Sequence, residues 1–148
     1  MLIFAEKYDR NKEEKRKMKR IISILLYMAV LLPLAAQPPK HEVRAAWITA
    51  VYGLDWPRTR ATSPESIRKQ QAELIEILDR LKAANFNTVL FQTRTRGDVL
   101  YKSAIEPYNS ILTGKAGGDP GYDPLAFAVA ECHKRGMELH TWIVTIPA

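Results

Sequence analysis

The chain has 148 residues, 47% of them hydrophobic, a formal charge of +6 and a single cysteine. That length allows one domain of ordinary size, and the apolar content excludes a disordered chain. One cysteine excludes a disulfide-stapled mini-protein. The positive charge is unevenly spread. Residues 1–20 carry 8 of the 22 basic and 4 of the 16 acidic side chains, while from Gln37 onward 14 basic residues stand against 12 acidic ones. The bulk charge therefore gives no support to a nucleic-acid partner.

The N-terminus reads as an export signal. Lys15 to Arg20 form a basic flank, Ile21 to Leu34 an apolar run, and Ala35-Ala36-Gln37-Pro38-Pro39 a small-residue and polar exit. This is the pattern of a secretory signal peptide over residues 18–36, with cleavage after Ala36. The rival reading is a retained membrane anchor, but a span wants about 20 apolar residues. This run is shorter and contains Pro33. Met18 is a more ordinary start than Met1, which makes residues 1–17 an upstream extension and residues 37–42 a short linker. The exported chain is then secreted or periplasmic, with no stable membrane span.

From Val43 the pattern predicts strand, helix, strand, helix, strand. Val43–Val51 is a mostly apolar run of strand length, closed by the turn residues Gly53, Asp55 and Pro57. Ser63-Pro64-Glu65 opens a helix as N-cap, first helical position and acidic first turn. Ile67, Leu74, Ile75, Leu78 and Leu81 recur at helical spacing, and Asn85 suits the left-handed position after the helix. Asn87–Gln92 is a continuous β-prone run, as in a strand covered on both faces. Asp123-Pro124 repeats the cap-plus-proline start, Leu125, Ala128, Val129 and Cys132 make the next apolar stripe, and Gly136 stops it. Met137–Val144 is the third strand. Such alternation predicts parallel strands. An open doubly wound sheet and a (β/α)8 barrel both begin this way, and spacing does not separate them. No glycine-rich phosphate loop follows a strand.

In both architectures ligands bind beyond the C-terminal ends of the strands. That singles out Asp55 and Trp56 after the first strand, with Tyr52 beside them. Gln92, Arg94, Asp98, Tyr101 and Glu106 follow the second, with Arg96, and His140 ends the third. Rings, carboxylates, an amide and guanidinium groups are what sugars ask for. Blander roles stand beside these. Arg94 and Asp98 suit a structural ion pair, Trp47 and Trp142 suit packing within strands, and a lone His140 suits a hydrogen-bonded buried histidine. Cys132 reads as core. With His41, His133 and His140 scattered, no metal motif forms, and no metal or organic cofactor is indicated. The segment from Thr93 to Tyr122 carries the strongest signal, because structureless loops of about thirty residues are uncommon in compact domains and usually functional. Its apolar anchors are expected at Tyr101, Ile105, Pro107, Tyr108, Ile111 and Leu112.

The blocks Arg44-Ala45-Ala46-Trp47-Ile48-Thr49, Leu54-Asp55-Trp56-Pro57, Asn85 to Arg94, Gly97-Asp98, Leu100 to Ser103, Glu106-Pro107-Tyr108, Leu112-Thr113-Gly114, Tyr122 to Leu125 and His133 to Trp142 follow one another in order. This ordered series, from about Glu42 to Trp142, resembles the N-terminal part of the glycosyl-hydrolase-like 10 family of secreted bacterial proteins. The resemblance implies an α/β fold that is the first three strands and two helices of a (β/α)8 barrel. It also implies hydrolysis of glycosidic bonds in a polysaccharide, with bacterial cell-wall glycan strands one substrate that fits. A full barrel takes about 250 residues, so residues 43–148 are expected to be a partial barrel domain. Val144 to Ala148 depart from the Asn-Pro-Tyr-Arg-like segment expected there, which points to a truncation, a frameshift or a fragmentary gene model. Glycosidases mostly need two carboxyl groups. In barrel hydrolases these come mainly from later strands, so the isolated chain is expected to be inactive. Asp98 and Glu106 are assigned to substrate binding and loop ordering, and Asp55 with Trp56 to one wall of a sugar subsite. The alternative is a carbohydrate-binding or scaffold protein without chemistry.

Overall fold

The computed structural model describes the backbone over residues 2–35 and 42–146, and side chains over residues 12–28 and 42–146. The signal-cleavage position after Ala36, the linker over 37–41 and the last two residues lie outside the described residues. The chain divides into two compact units, residues 1–42 and 43–148.

In the first unit a helix, α1, runs over Leu2–Ala35 and takes in both the basic flank and the apolar run. No helix among the described residues is long and apolar enough to cross a membrane.

The second unit is an α/β layer: β1 (Ala45–Ile48), α2 (Pro64–Ala83), β2 (Thr88–Arg94), α3 (Pro124–Lys134) and β3 (Glu138–Ile143). The three strands are parallel, in the order β1-β2-β3, and form an open sheet. Both helix starts follow the capping chemistry of the sequence. The Ser63 hydroxyl accepts from the Ser66 amide at 3.2 Å, and the Ser66 hydroxyl accepts in return from the Ser63 amide at 2.8 Å. Asp123 accepts from the Ala126 amide at 3.0 Å. Asn85 (φ 65°) and Gly136 (φ 61°) take the left-handed positions that end α2 and α3, where a β-branched residue would be strained.

One face of the sheet carries the core. Ile48, Val89 and Phe91 pack against Leu74 and Leu78 of α2 and Ala128 and Cys132 of α3, so both helices cover the same side. At the far ends of the helices Arg135 donates to Asp79 at 2.6 Å and to Glu131 at 2.8 Å, binding α3 to α2. Register sets Trp47, Leu90 and His140 side by side on the other face. Within this unit that face is partly open: Trp47 is 60% exposed, its ring centroid 5.0 Å from that of Trp142, and His140 is exposed, while Leu90 is half-buried. An exposed tryptophan on that face and two strand edges unpaired among the described residues favour self-association. Residues 37–148 at micromolar concentration are expected to run above monomer mass in size exclusion with light scattering. A monomer that unfolds cooperatively would contradict this.

Each strand boundary differs from the sequence pattern by one to three residues, and two of the differences have a visible cause. The first strand stops at Ile48 rather than Val51, because a side chain captures the next amides, as described below. The second runs on to Arg94, since Val144 still donates to the Arg94 carbonyl at 3.1 Å.

Candidate functional site

Everything beyond the C-terminal ends of the strands is built from two connections, residues 49–63 after β1 and 95–123 after β2. The first is fixed by borrowed acceptors. The Gln92 Oε1 accepts from the Thr49 hydroxyl and the Ala50 amide at 2.8 Å and from the Val51 amide at 2.9 Å. Asp55 accepts from the Thr49 amide at 2.8 Å. These bonds replace a ladder to a neighbouring strand and roll the chain into a 3-10 turn over Val51–Gly53. The Gln92 acceptor is therefore occupied by the turn, and Gln92 is 3% exposed.

Trp56 does not form the wall of a sugar subsite. It is fully buried, packs on Phe91 with ring centroids 5.7 Å apart, and donates its Nε1 to the Gln70 carbonyl at 2.9 Å. Burial decides this, because a ring with no exposed surface has no face to offer a ligand. Asp55 is exposed and instead borders a hollow of about 160 Å³ together with Trp47, Arg58 and Leu81.

The long connection is ordered, with anchors partly other than those expected. Val99, Leu100 and Leu112 are fully buried, while Ile105 is 94% exposed. Its backbone makes single bridges from Val99 to Arg94 and to Tyr108. Asp98 accepts from the Thr95 hydroxyl, from the Arg96 amide at 3.3 Å and from Asn109 Nδ2 at 3.0 Å. It organises the turn and does not pair with Arg94, contrary to the sequence reading. The partner of Arg94 is Glu106. The Arg94 Nε donates to both carboxylate oxygens at 2.9 Å and its Nη2 to one of them at 2.6 Å. Its Nη1 donates to the Val144 carbonyl, so the guanidinium also fixes how the chain leaves β3. Tyr101 is half-buried. His140 is exposed rather than buried, 3.3 Å from Glu138.

Hydrogen bonding to Arg94 holds the Glu106 carboxyl below the usual carboxylate range, with desolvation acting the other way. A depressed carboxylate stabilises the fold above its unfolded pKa and loses that contribution as pH falls through its folded pKa. Thermal stability should therefore drop toward acid, and Glu106→Gln should flatten part of the slope. Part remains, because Glu131 is lowered in the same sense by Lys134 and Arg135. Calorimetry between pH 7 and pH 3 checks this.

Nothing in the sequence pattern marks Gln70. It sits fully buried in the α2 stripe with Leu74 and Leu78. Its Nε2 donates to the carbonyls of Thr59 at 2.6 Å and Leu112 at 3.0 Å, and its Oε1 accepts from the Tyr122 hydroxyl at 2.6 Å. Burial pushes the Tyr122 hydroxyl pKa well up, so it stays a donor. Glu73 on the same helix caps the amides of Arg58 and Thr59 at 3.0 and 3.2 Å. An open groove of about 510 Å³ separates residues 61–67 from 113–121 and is lined by none of the eight sequence-predicted site residues. Cys132 is core, as expected, and burial moves its thiol up to about 11. Among the described residues no group of three His, Cys, Asp or Glu side chains could hold a metal ion.

Comparison with known proteins gives a consistent set of matches. Residues 42–147 match the family model described as glycosyl hydrolase-like 10. The chain is 37% identical over 131 residues to "Glycosyl hydrolase YngK" of Bacillus subtilis strain 168, covering 87% of this chain and 25% of that protein. It is 41% identical over 114 residues to "Glycosyl hydrolase DigH" of Escherichia coli strain K12 and of Shigella flexneri, covering 74% of this chain and 26% of each. The chain thus spans about a quarter of the length of the curated relatives it matches.

Proposed function

The chain belongs to the glycosyl hydrolase-like 10 family, and on that premise we propose that it is the N-terminal portion of a secreted glycoside hydrolase acting on a glycan. The observation that carries the reading is the family match over residues 42–147, set against relatives of which the chain covers about a quarter. A (β/α)8 barrel is the architecture we infer. It is supported by three parallel strands in consecutive order, both helices on one face, and a partly open opposite face bearing Trp47, Leu90 and His140. In a barrel that face turns inward and further strands cover it.

The carboxylates on hand suit binding better than acid–base work. A general acid needs a raised pKa, whereas Glu106 is lowered by Arg94, and Asp55 and Asp98 are engaged by backbone and hydroxyl donors. The acid and its partner are assigned to the part of the protein beyond this chain. Tyr101 and the carboxylates of Asp98 and Glu106 then shape the glycan side of the barrel mouth.

The test is to read the source DNA across the codon for Ala148 and to express whatever frame continues from it. Further strand–helix units, and new reducing ends released from glycan, are expected, with no release by residues 1–148 alone. Retention on glycan without turnover by the extended protein would favour the carbohydrate-binding alternative.

We also propose export through the N-terminal signal, supported by the basic flank and the apolar run. Expression from Met18 in a bacterial host should give a product outside the cytoplasm whose first residue, by N-terminal sequencing, is Gln37. A retained Met18 would overturn this.

A further inference from the structure

The helix α1 (Leu2–Ala35) runs from the segment upstream of Met18 straight into the apolar run that follows it. Its character changes along the axis rather than around it. Residues 12–20 carry six basic side chains, Lys12, Lys15, Arg16, Lys17, Lys19 and Arg20, offset only by Glu13 and Glu14. Four of the six cations lie upstream of Met18. From Ile21 to Met28 every residue but Ser23 is apolar or aromatic. With 3.6 residues to the turn, a run of that length covers the whole circumference of the helix. Each large side chain in it is more than half exposed.

A helix with one apolar stripe is made to rest against a protein core or to lie in an interface. A helix apolar on every side needs an apolar medium all round it, and the hydrocarbon of a bilayer is such a medium. Ile21 to Leu34 would be about 21 Å long at 1.5 Å per residue, short of the roughly 30 Å hydrocarbon core. That length suits entry into one leaflet. The cations ahead of it then stand at the depth of the lipid phosphates, their methylene stems along the acyl chains. There each Lys or Arg gains from an anionic headgroup.

We propose that α1 docks the uncleaved chain on an anionic lipid surface. The apolar half sinks into one leaflet, and the basic half, most of it upstream of Met18, pairs with the phosphates. The proposal rests on the export reading above and deepens it, because the cytoplasmic leaflet is the anionic one. The segment upstream of Met18 thereby has a task of its own, which is to hold the precursor on that leaflet before the signal is cut. A chain begun at Met18 keeps only Lys19 and Arg20 of the six cations.

The test is flotation of residues 1–148, made by cell-free synthesis so that the signal stays on. The vesicles are phosphatidylcholine alone, or phosphatidylcholine with about one third phosphatidylglycerol. The anionic vesicles should bind the chain about tenfold or more tightly, and added salt should remove most of the difference by screening. Two chains should lose most of that preference and keep weak binding to both kinds of vesicle. One is residues 18–148, and the other is the full chain with Lys15→Gln, Arg16→Gln and Lys17→Gln. Leu25→Asn with Leu26→Asn should weaken binding to both vesicles. Residues 37–148 should stay unbound, which separates α1 from adhesion through Trp47, and thermal melting shows that the second unit is equally folded throughout. Equal binding to neutral and anionic vesicles overturns the proposal, as does a preference that survives the triple substitution or the start at Met18. Binding by residues 37–148 equal to that of the full chain overturns it too, and so does no binding at all. None of these results touches the export reading, which stands or falls on Gln37 as the first residue of the exported product.

Discussion

Trp56→Ala should leave the chain without a cooperative unfolding transition. Trp56 is the largest fully buried side chain, and it joins the first connection to the helix layer through Phe91 and the Gln70 carbonyl. Truncating a buried tryptophan costs about 3–5 kcal/mol, because the transfer energy is lost and a cavity remains. Domains hold only about 5–15 kcal/mol in all, and a sheet with one partly open face is placed at the low end. Trp56→Phe keeps a ring against Phe91 and gives up the N–H and some volume, a loss of about 1–2 kcal/mol. Urea unfolding followed by circular dichroism separates the two. Near-equal midpoints for alanine and phenylalanine would contradict the packing role.

Gln92→Leu has the second largest expected effect. The volume is nearly kept, but the Thr49 hydroxyl and the amides of Ala50 and Val51 lose their acceptor together. A buried donor left unpaired costs about 1–3 kcal/mol, and only the Ala50 amide is fully buried while the other two are part-buried, so the sum should be on the order of 3 kcal/mol. Gln92→Glu keeps an oxygen in place and should retain the turn at neutral pH. Amide exchange at Ala50 and Val51 reports this directly, slow in the parent and in Gln92→Glu and fast in Gln92→Leu. Slow exchange in Gln92→Leu would mean another acceptor holds the turn.

The parts of the fold that were legible in the sequence are those written in local chemistry. Ser63-Pro64, Asp123-Pro124, Asn85 and Gly136 act within a few residues of themselves, and each stands in the structure where its cap or turn role requires. The parts that were not legible depend on partners far along the chain. The Gln92 amide that ends β1 acts across 41 to 43 residues, and nothing in the apolar run Val43–Val51 announces it. Arg94 lay within reach of several carboxylates in sequence, and only the bridges at Val99 bring Glu106 rather than Asp98 to it. Trp56 was read as a ligand wall because it follows a strand, whereas the turn ahead of it folds its ring inward. Gln70 interrupts an apolar stripe and passes for a surface residue until its two carbonyl partners are known.

Gln70 also changes how the segment between β2 and α3 behaves as a polymer. Bonds to Leu112 and Tyr122 close loops of 42 and 52 residues onto one side chain. Closure entropy grows only slowly with loop length, so once α2 is docked each tie costs little more than a local one. The thirty-residue span then moves as two short arcs, 94–111 and 113–121, instead of one long one. A ligand arriving there meets a surface whose ordering was completed when the chain folded, and little further entropy is lost on binding.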